Sequence, residues 1–331
     1  MAKLRLGVIG AGNIAAAFVK ESPACEHVEV TAIASRSEAK AGAFANRFSL
    51  TKAYGGYQEL LDDNEIDAVY IATPNGAHKE WVIKAAQAHK HILCEKPMAL
   101  TVTDAREMFA TAKRHEVVLI EAFPFRFQPQ TLAVLEQVRS GAIGEVVGYS
   151  GSFGFPMNSE DNVRLDPAQG GGSIWDVGVY PINLARAVFG KSLANVYAAA
   201  KMHPKGVDVS ATVLLEYDDG RSASIWSSFE TPPFRRAHIV GSTGYIEYAH
   251  ANHTADPISA SFVIGKENEP PRRVETTFGN GFVLEADAFA NLILGVNDFV
   301  GTTEQETIEN TATCVAILET IRSGRPERVN L

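Results

Sequence analysis

The sequence predicts an α/β protein of two domains: a parallel sheet comes first, followed by an α+β domain built on a mainly antiparallel, open-faced sheet. Its 331 residues are enough for two domains of ordinary size. In the first 121 residues, short apolar runs alternate with segments of helical periodicity. After Pro129, most of the chain alternates apolar and polar residues in strand-length pieces. We therefore predict domains of residues 1–121 and 122–331.

The apolar runs of the first domain are brief and β-branched and show little alternation, as is typical of strands buried on both faces. The segments between them place apolar residues three and four apart, which predicts helices. Alternating strands and helices predict right-handed β-α-β units. The predicted strands are Leu4–Ile9, Val28–Ala34 and residues 68–72, 91–94 and 117–121. The predicted helices are Asn13–Glu21, Glu38–Phe48, Tyr57–Leu61 and residues 77–88 and 103–115.

Turn signals divide the second domain into hairpins. Asp219-Gly220 separates strand-like residues 209–217 from 222–229, and dipeptides of this kind favour tight hairpin turns. Residues 237–240 and 245–248 form a second such pair. Helical periodicity is limited to residues 130–140, Val179–Phe189, residues 284–294 and Glu304–Ser323. Since few helices remain to cover the sheet, we predict one open face and a homodimer formed through it.

The charge, hydropathy and cysteine content of the chain limit the kinds of molecule with which it is expected to interact. The 39 acidic and 30 basic side chains give a net charge of −9, which opposes nucleic-acid binding. No apolar run approaches the ~20 residues of a membrane span, and the N-terminus leads into a strand without a secretory signal. The three cysteines are widely spaced and odd in number, which favours a reducing compartment. We expect a cytoplasmic protein that acts on small molecules, with no nucleic-acid or membrane partner and no metal.

A glycine-rich turn follows the first predicted strand and opens a helix. It reads Gly10-Ala11-Gly12-Asn13-Ile14-Ala15, which matches the dinucleotide-binding pattern GxGxx(G/A). The first glycine permits the tight turn, the second lets the backbone approach a pyrophosphate, and the small third residue allows close packing. The amide groups at the helix N-terminus supply donors. The sequence therefore predicts a Rossmann-type domain that binds a dinucleotide through Gly10, Gly12, Asn13 and Ile14.

The turn after the second strand indicates which dinucleotide is bound. An acidic residue there favours NAD, whereas an arginine accommodates the 2′-phosphate of NADP. This chain has Ser35-Arg36-Ser37 and no carboxylate in that turn. Arg36 can pair with a phosphate dianion, and Ser35 can donate to it. We therefore predict NADP in preference to NAD.

Further motifs carry a family resemblance. They are Thr73-Pro74-Asn75 with His78, Glu95-Lys96-Pro97, and Gly170-Gly171-Gly172 followed by Asp176 and Tyr180. In this order they resemble the Gfo/Idh/MocA oxidoreductases over nearly the whole chain. The segments Glu121–Phe127 and Asp176–Tyr180 look most like the dimeric dihydrodiol dehydrogenases and the NADP-dependent D-xylose dehydrogenases. Many members have histidine where this chain has Tyr180, which favours the tyrosine-using branch over an inositol dehydrogenase.

The resemblance implies roles for individual residues. It implies cofactor contacts by Thr73, Asn75, His78, Glu95, Lys96 and Arg164, and a cis Lys96–Pro97 bond. It also implies catalysis by Lys96 and Tyr180. At Arg164 the match is incomplete, because Val163 stands where tryptophan is often found.

The chemistry of these residues suits hydride transfer to or from an alcohol carbon, which needs a group that moves the hydroxyl proton. Tyr180 is the candidate proton carrier, and the Lys96 ammonium would favour its phenolate. Asp176, one helical turn earlier, can bind the substrate or orient the pair. Arg126 lies among phenylalanines, where it either reaches the cleft or forms a structural ion pair.

Aromatic residues near these groups suit a cyclic polyol, whose ring face is apolar and whose hydroxyls are polar. The candidate pocket walls are Phe153, Phe155, Trp175, Trp226 and Phe229. The sequence thus predicts an NADP-dependent dehydrogenase of an aldose such as D-xylose or of a trans-dihydrodiol, with Asp176, Arg126 and Trp175 binding the substrate. Two alternatives stay open: a reductase of a sugar ketone such as 1,5-anhydrofructose, and a non-catalytic NADP-binding sensor.

Overall fold

The computed structural model describes residues 3–191, 193–250, 260–296 and 299–331. The chain divides into two compact units. The first comprises residues 1–127 and 280–307, and the second comprises residues 128–279 and 308–331. The first unit thus includes two segments, 122–127 and 280–307, that a division at residue 121 assigns to the second domain.

The first unit contains a six-stranded parallel sheet in the order β3-β2-β1-β4-β5-β6, which confirms the predicted fold. The strands are β1 (Leu4–Ile9), β2 (Val28–Ala34), β3 (Lys52–Tyr54), β4 (Ala68–Ile71), β5 (His91–Glu95) and β6 (Leu119–Ala122). The helices are α1 (Asn13–Glu21), α2 (Glu38–Phe48), α3 (Tyr57–Leu61), α4 (His78–Gln87) and α5 (Val102–Arg114). Among these strands, only β3 is not predicted by the sequence, because three residues at a sheet edge show too little periodicity to detect.

Helix α8 (Gly281–Ile293) completes the first unit, although it comes from late in the chain. Phe282 packs edge-on against Phe18, which stacks on Tyr70 with ring centroids 4.3 Å apart. The Asp287 carboxylate accepts hydrogen bonds from the amides of Glu26 and His27 at 3.0 and 2.8 Å. These contacts explain why the segment does not belong to the second unit.

The second unit is built on a nine-stranded sheet in the order β14-β13-β12-β11-β7-β10-β9-β8-β15. All pairs are antiparallel except β7 with β10, which confirms the mainly antiparallel prediction. Its strands are β7 (Val146–Pro156), β8 (Leu193–Met202), β9 (Asp208–Tyr217), β10 (Ser222–Ser228), β11 (Glu230–Gly241), β12 (Gly244–Tyr248), β13 (Ser261–Lys266), β14 (Arg272–Glu275) and β15 (Glu327–Arg328). The remaining helices are α6 (Pro129–Arg139), α7 (Val179–Phe189) and α9 (Glu304–Ser323).

Strand β11 begins earlier than the sequence indicates. Pro232 and Pro233 interrupt the apolar alternation, so the pattern predicts a strand only from residue 237. The register between β11 and β7 shifts between Glu230 and Phe234, and this irregularity accommodates both prolines.

The nine-stranded sheet has one covered face and one open face. One row of paired residues across it is buried: Val196, Leu215, Ala223, Tyr149, Ile239 and Ile246. The next row points to the opposite side and is exposed throughout: Tyr197, Leu214, Ser224, Ser150, His238 and Glu247. We call the side of this second row the open face.

Within the part of the chain that the structure describes, no helix is both long enough and apolar enough to cross a bilayer. Cys25, Cys94 and Cys314 are buried and are not joined in disulfides.

Candidate active site

The carboxyl ends of the parallel strands bring most of the predicted cofactor residues to one edge of the first sheet. The glycine turn follows β1, Ser35 and Arg36 follow β2, Thr73 follows β4, and Glu95 ends β5. Open parallel sheets bind ligands at this edge. The first unit therefore places these segments together, as the sequence predicts.

The glycine turn has the geometry that its motif requires. Gly10 has φ +104°, and a Cβ there would lie 2.7 Å from the Ala72 carbonyl oxygen. Gly12 is the N-cap of α1, has no side-chain cap, and faces open space where a Cβ would stand. Ala15 is fully buried, so the third position packs closely. The turn therefore leaves the first amides of α1 accessible to a pyrophosphate.

A buried hydroxyl beside this turn supports a ligand at the same edge. Thr73 Oγ1 is buried and has no hydrogen-bond partner among the described residues. Buried polar atoms are nearly always satisfied, so an orphaned one indicates a missing partner. Asn75 is half-buried in the short helical turn that follows. These residues fit a dinucleotide such as NAD(P), with Gly10, Gly12, Asn13 and Ile14 at the pyrophosphate.

The turn after β2 has both a buried and an exposed residue. Ser35 is buried and its amide donates to the Tyr54 carbonyl oxygen at 3.1 Å, whereas Arg36 is exposed. Burial raises the pKa of Tyr57, and the Arg36 guanidinium beside it acts in the opposite direction. The Arg36 guanidinium therefore lies beside the Tyr57 hydroxyl, and the residue remains exposed.

His78 connects two loops of this edge. Its ring is fully buried, with Nδ1 2.9 Å from the Pro97 carbonyl oxygen and Nε2 3.0 Å from that of Thr73. Burial lowers the pKa of His78, and the two carbonyl groups oppose that effect. His78 thus ties the loop after β4 to the loop after β5. Its predicted cofactor contact stays a prediction.

Lys96 follows β5 through a cis bond to Pro97, as the resemblance implies. Its side chain is half-buried. The Glu95 carboxyl is buried and turns inward: Oε1 accepts from the Tyr70 hydroxyl at 2.5 Å, and Oε2 accepts from the Lys96 amide at 3.2 Å. Glu95 therefore supports the backbone of Lys96, and its predicted contact with the cofactor remains untested.

Arg126 forms the ion pair that the sequence left open. It is buried in a short helical turn after β6, and its guanidinium nitrogens lie 3.3 and 3.4 Å from Glu306 Oε1. Glu306 also accepts from the Thr303 amide at 2.8 Å, at the start of α9. The pair joins the two segments of the first unit, which favours the structural interpretation. A substrate contact by Arg126 stays a prediction.

The second unit brings three predicted site residues together, here called the Tyr180 group: Arg164, Asp176 and Tyr180. Arg164 Nε donates to Asp176 Oδ2 at 2.5 Å. Burial lowers the pKa of Arg164, but attraction to Asp176 and Tyr180 raises it, and the net direction is upward. Tyr180 is buried with its ring centroid 5.2 Å from that of Phe153. A cation, a carboxylate and a phenol thus form one group.

A π-helical turn, Ile174–Gly178, presents Asp176 just before α7. Such turns are rare and frequently occur at functional sites. They were not expected here, because the sequence predicts an ordinary helical turn between Asp176 and Tyr180. At the end of this wider turn the Val179 amide donates to the Ile174 carbonyl oxygen, five residues earlier, where α7 begins.

The glycine run before this turn is required by close packing. Gly172 has φ +113°, and a Cβ there would lie 2.2 Å from Asp208 Oδ1. The Asp208 carboxylate accepts from the Ser173 hydroxyl at 2.6 Å and from the Ile174 amide at 2.9 Å. Burial raises the pKa of Asp208. Asp208 is not among the predicted site residues, and its one signal in the sequence is a carboxylate between Val207 and Val209 at the start of an apolar strand.

Two of the candidate pocket walls contact the Tyr180 group. Phe153 packs on Tyr180, and the Arg164 guanidinium lies 5.5 Å above the Phe155 ring. Trp226 does not: it pairs with Ser152 and points to the open face, where it contacts Phe234. Its prediction as a pocket wall was wrong, because β10 alternates sides and Trp226 falls on the outer one. Trp175 is buried, and its substrate contact stays a prediction.

Metal ligation finds no support in the described ranges, where no three metal-binding side chains come together. His250 is buried and contacts Phe153, with ring centroids 5.6 Å apart. His253, which has the spacing of a possible second metal ligand in the sequence, lies outside the described residues.

Family models match both halves of the chain. Residues 4–123 match the model described as "Oxidoreductase family, NAD-binding Rossmann fold", and residues 131–247 match the GFO/IDH/MocA C-terminal domain. The D-xylose 1-dehydrogenase (NADP(+)) 2 of Haloferax volcanii is 34% identical over 325 residues, which is 97% of this chain and 98% of that protein. The chain belongs to the Gfo/Idh/MocA family.

Other members are similar to this Gfo/Idh/MocA protein over much of its length. The trans-1,2-dihydrobenzene-1,2-diol dehydrogenase of Mus musculus is 35% identical over 245 residues, covering 73% of each chain. The structure of KijD10, a 3-ketoreductase from Actinomadura kijaniata, in complex with NADP and TDP-benzene is 28% identical with a TM-score of 0.84, covering 97% of this chain and 98% of that one. This Gfo/Idh/MocA protein is therefore an oxidoreductase with an NAD(P)-binding Rossmann domain.

Proposed function

We propose that the protein transfers a hydride between the nicotinamide of NADP and a hydroxyl-bearing carbon of a cyclic polyol. The substrate is an aldose sugar such as D-xylose, or a trans-dihydrodiol. The observation that carries this proposal is the Tyr180 group, in which Arg164 bonds Asp176 and attracts Tyr180. The names of the relatives support the substrate class, because they include a D-xylose dehydrogenase and a dihydrodiol dehydrogenase.

In the proposed reaction, Tyr180 moves the hydroxyl proton. A bound nicotinamide would supply the hydride acceptor or donor at C4, and oxidation of the alcohol releases one proton together with that hydride. Tyr180 takes that proton as a phenolate and becomes a neutral phenol, and Arg164 stabilises the phenolate before the transfer. Lys96 supplies a second positive charge, and Asp176 orients Arg164. Reduction uses the same groups in the reverse direction.

NADP is proposed over NAD because of the turn after β2. Arg36 is exposed there, no carboxylate is present to bind the ribose 2′-hydroxyl, and Ser35 and Ser37 flank it. The name of the Haloferax volcanii relative, which specifies NADP(+), agrees with this choice. Arg164 was expected to contact the cofactor, but its bond to Asp176 favours the role of positioning Tyr180.

A second candidate is reduction of a sugar ketone by the same residues. It is favoured by the similarity to a 3-ketoreductase that holds NADP and a TDP compound. A panel of aldoses, dihydrodiols and ketosugars, read by NADPH absorbance in both directions, separates the two candidates. A non-catalytic sensor would bind NADP without turning over any member of the panel.

Replacement of Tyr180 tests the proton transfer. Tyr180→Phe keeps the ring on Phe153 but removes the hydroxyl, so kcat should fall by about 100-fold to 10,000-fold while NADP affinity stays unchanged. Tyr217→Phe is the matched control, because the Tyr217 hydroxyl is buried and has no partner among the described residues. Near-normal turnover by folded Tyr180→Phe protein would refute the assignment.

We also propose that the protein forms a homodimer through the open face. Tyr197, Leu214 and Phe234 are large apolar side chains on that face, and each is more than a third exposed. Two copies related by a twofold axis would bury the same residues on both partners.

A further inference from the structure

The turn that carries Lys96, residues 95–98, is held by buried carboxyl groups. We call it the Lys96 turn. On one side, Glu95 bonds both the Lys96 amide and the Tyr70 hydroxyl, as described above. On the other side, Glu121 Oε1 accepts from the Met98 amide at 2.9 Å. The two amides that flank the cis bond are therefore each fixed by a carboxyl group from the sheet.

Glu121 is buried, so exposure to solvent does not account for a carboxyl group at this position. It lies on β6 beside Cys94 of β5, and it is 3% exposed. An apolar residue would be expected at a fully covered point of a central sheet. Its bond to Met98 gives it a specific task, because that amide follows a proline and has no strand partner in β5.

His78 holds the same turn from α4. Its Nδ1 lies 2.9 Å from the Pro97 carbonyl oxygen, while Nε2 faces Thr73. Carbonyl oxygens only accept, and a neutral imidazole donates one hydrogen bond. A neutral ring can therefore donate to only one of the two carbonyl oxygens, and burial, which lowers the pKa of His78, favours that neutral form. Glu95 and Glu121 are the carboxyl groups that support the Lys96 turn.

The charge of Glu121 is coupled to Lys96. Burial raises the pKa of Glu121 to about 7. The Met98 amide, the Thr307 hydroxyl and the Lys96 ammonium lower this pKa, whereas the Glu95 carboxyl raises it further. Two further titratable groups face this cluster. The Cys94 thiol lies beside Glu121 and Glu95, and the buried carboxyl of Glu285 on α8 faces Glu95; burial raises the pKa of both.

We propose that Glu121 is a positioning residue for Lys96: it fixes the Lys96 turn through the Met98 amide, and its ionisation changes the electrostatic environment of the Lys96 ammonium. The inference rests on the proposed function, in which Lys96 acts at the reacting hydroxyl. It extends that function to Glu121, a residue to which the sequence analysis assigns no role in the site. It also predicts that the electrostatic environment of the Lys96 ammonium changes near neutral pH in the absence of substrate, because Glu121 ionises there.

The experiment follows Lys96 directly. The full-length protein is reductively methylated with ¹³C-formaldehyde, and the Lys96 resonance is assigned by its absence in Lys96→Arg. In the wild type we expect this resonance to shift with an inflection near pH 7, where Glu121 ionises. Glu121→Gln keeps the acceptor oxygen but cannot ionise, so the inflection should disappear. Glu285→Gln is the matched control, because the Glu285 carboxyl is buried in the same unit but is not a partner of the Met98 amide. The Lys96 resonance of this variant should keep its inflection.

Activity measurements separate positioning from simple stability. Glu121→Leu removes the acceptor, and kcat should fall on the order of 10-fold to 100-fold, as expected when a catalytic group is displaced. Glu121→Gln should restore most of that loss, with a kcat/KM profile that lacks the step near pH 7. If the Leu variant does not fold, the resonance experiment with Glu121→Gln still decides the matter.

The outcomes distinguish the two proposals. An unchanged inflection in Glu121→Gln, or none in the wild type, overturns the inference about Glu121 even if Lys96→Arg is inactive. Full activity of Lys96→Arg overturns the catalytic role of Lys96, while loss of the inflection in Glu121→Gln would still support the coupling between the two residues.

Discussion

Arg164 Nε lies 2.5 Å from Asp176 Oδ2, and the same guanidinium attracts Tyr180. Arg164 and Asp176 lie on either side of the glycine run in the sequence. The chain folds back there, so that the Gly172 amide donates to the Arg164 carbonyl oxygen at 2.9 Å. The run therefore serves the site by bringing an arginine to a helix that begins ten or more residues later in the chain.

Removal of the Arg164 charge should reduce turnover. Hydrogen bonds to charged groups contribute roughly 1.5–3 kcal/mol, so Arg164→Gln should lower kcat by about tenfold to a hundredfold. Arg164→Lys keeps the charge and should recover part of the loss. Steady-state kinetics and NADP titrations measure both effects. An equal loss in the two variants, accompanied by weaker NADP binding, would indicate instead that Arg164 binds the cofactor.

Arg36 should select the cofactor. Arg36→Ala removes the cation that we propose to pair with the 2′-phosphate, so the Kd for NADP should rise by roughly tenfold to a hundredfold while that for NAD stays nearly constant. Fluorescence titration with each dinucleotide provides the measurement. Arg47→Ala is the matched control, since Arg47 lies near the end of α2, the helix that follows the Arg36 turn, with its guanidinium over the Phe48 ring. Equal weakening of both dinucleotides would contradict the phosphate contact.

The stability of the first unit should depend on pH through Glu121. Its pKa is about 7 when folded and near its ordinary 4.5 when unfolded, so the folded state binds the proton more tightly. The free energy of unfolding therefore falls as pH rises from 4.5 to 7, by up to about 3 kcal/mol from this group, and is constant above 7. Gln cannot ionise, so the Glu121→Gln variant should not lose this stability. In urea unfolding, the free energy of unfolding of the variant minus that of the wild type should therefore increase from pH 4.5 to pH 7. A difference independent of pH would contradict the assignment.

Gly172 should be sensitive to substitution. Gly172→Ala would force a side chain into a left-handed conformation and against Asp208, which should cost at least about 1–3 kcal/mol of stability. Gly148→Ala is the control, because a Cβ at Gly148 meets nothing within 4 Å. Chemical denaturation compares the two. Equal stability of both variants would mean that the glycine run is not required for the local fold.

The open face should control assembly. Leu214→Glu places a charge on an exposed apolar position of that face and should convert a dimer to a monomer in sedimentation experiments. Leu294→Glu changes an even more exposed leucine of the first unit and should leave the dimer intact. A wild-type protein that sediments as a monomer at micromolar concentration would refute the dimer.

Local chemistry explains why the sequence predicted the first sheet and the glycine turn. Gly10 must adopt a positive φ beside the Ala72 carbonyl, and the motif specifies a glycine at this position. Asp208 has no comparable motif, since its partners Ser173 and Ile174 lie 35 and 34 residues away. The membership of α8 in the first unit depends on contacts across 260 residues or more, such as those from Asp287 to Glu26 and His27. Such pairings arise from tertiary packing, which periodicity does not encode.

The return of residues 280–307 to the first unit has a consequence for biosynthesis. Phe18 and Tyr70 are made early, but Phe282, which closes over Phe18, is translated only after the entire nine-stranded sheet except β15. The nucleotide-binding half is thus the first to begin synthesis and among the last to be completed. A ribosome-stalled chain that ends before residue 280 would expose the apolar surface reserved for α8, and should recruit chaperones until that helix emerges.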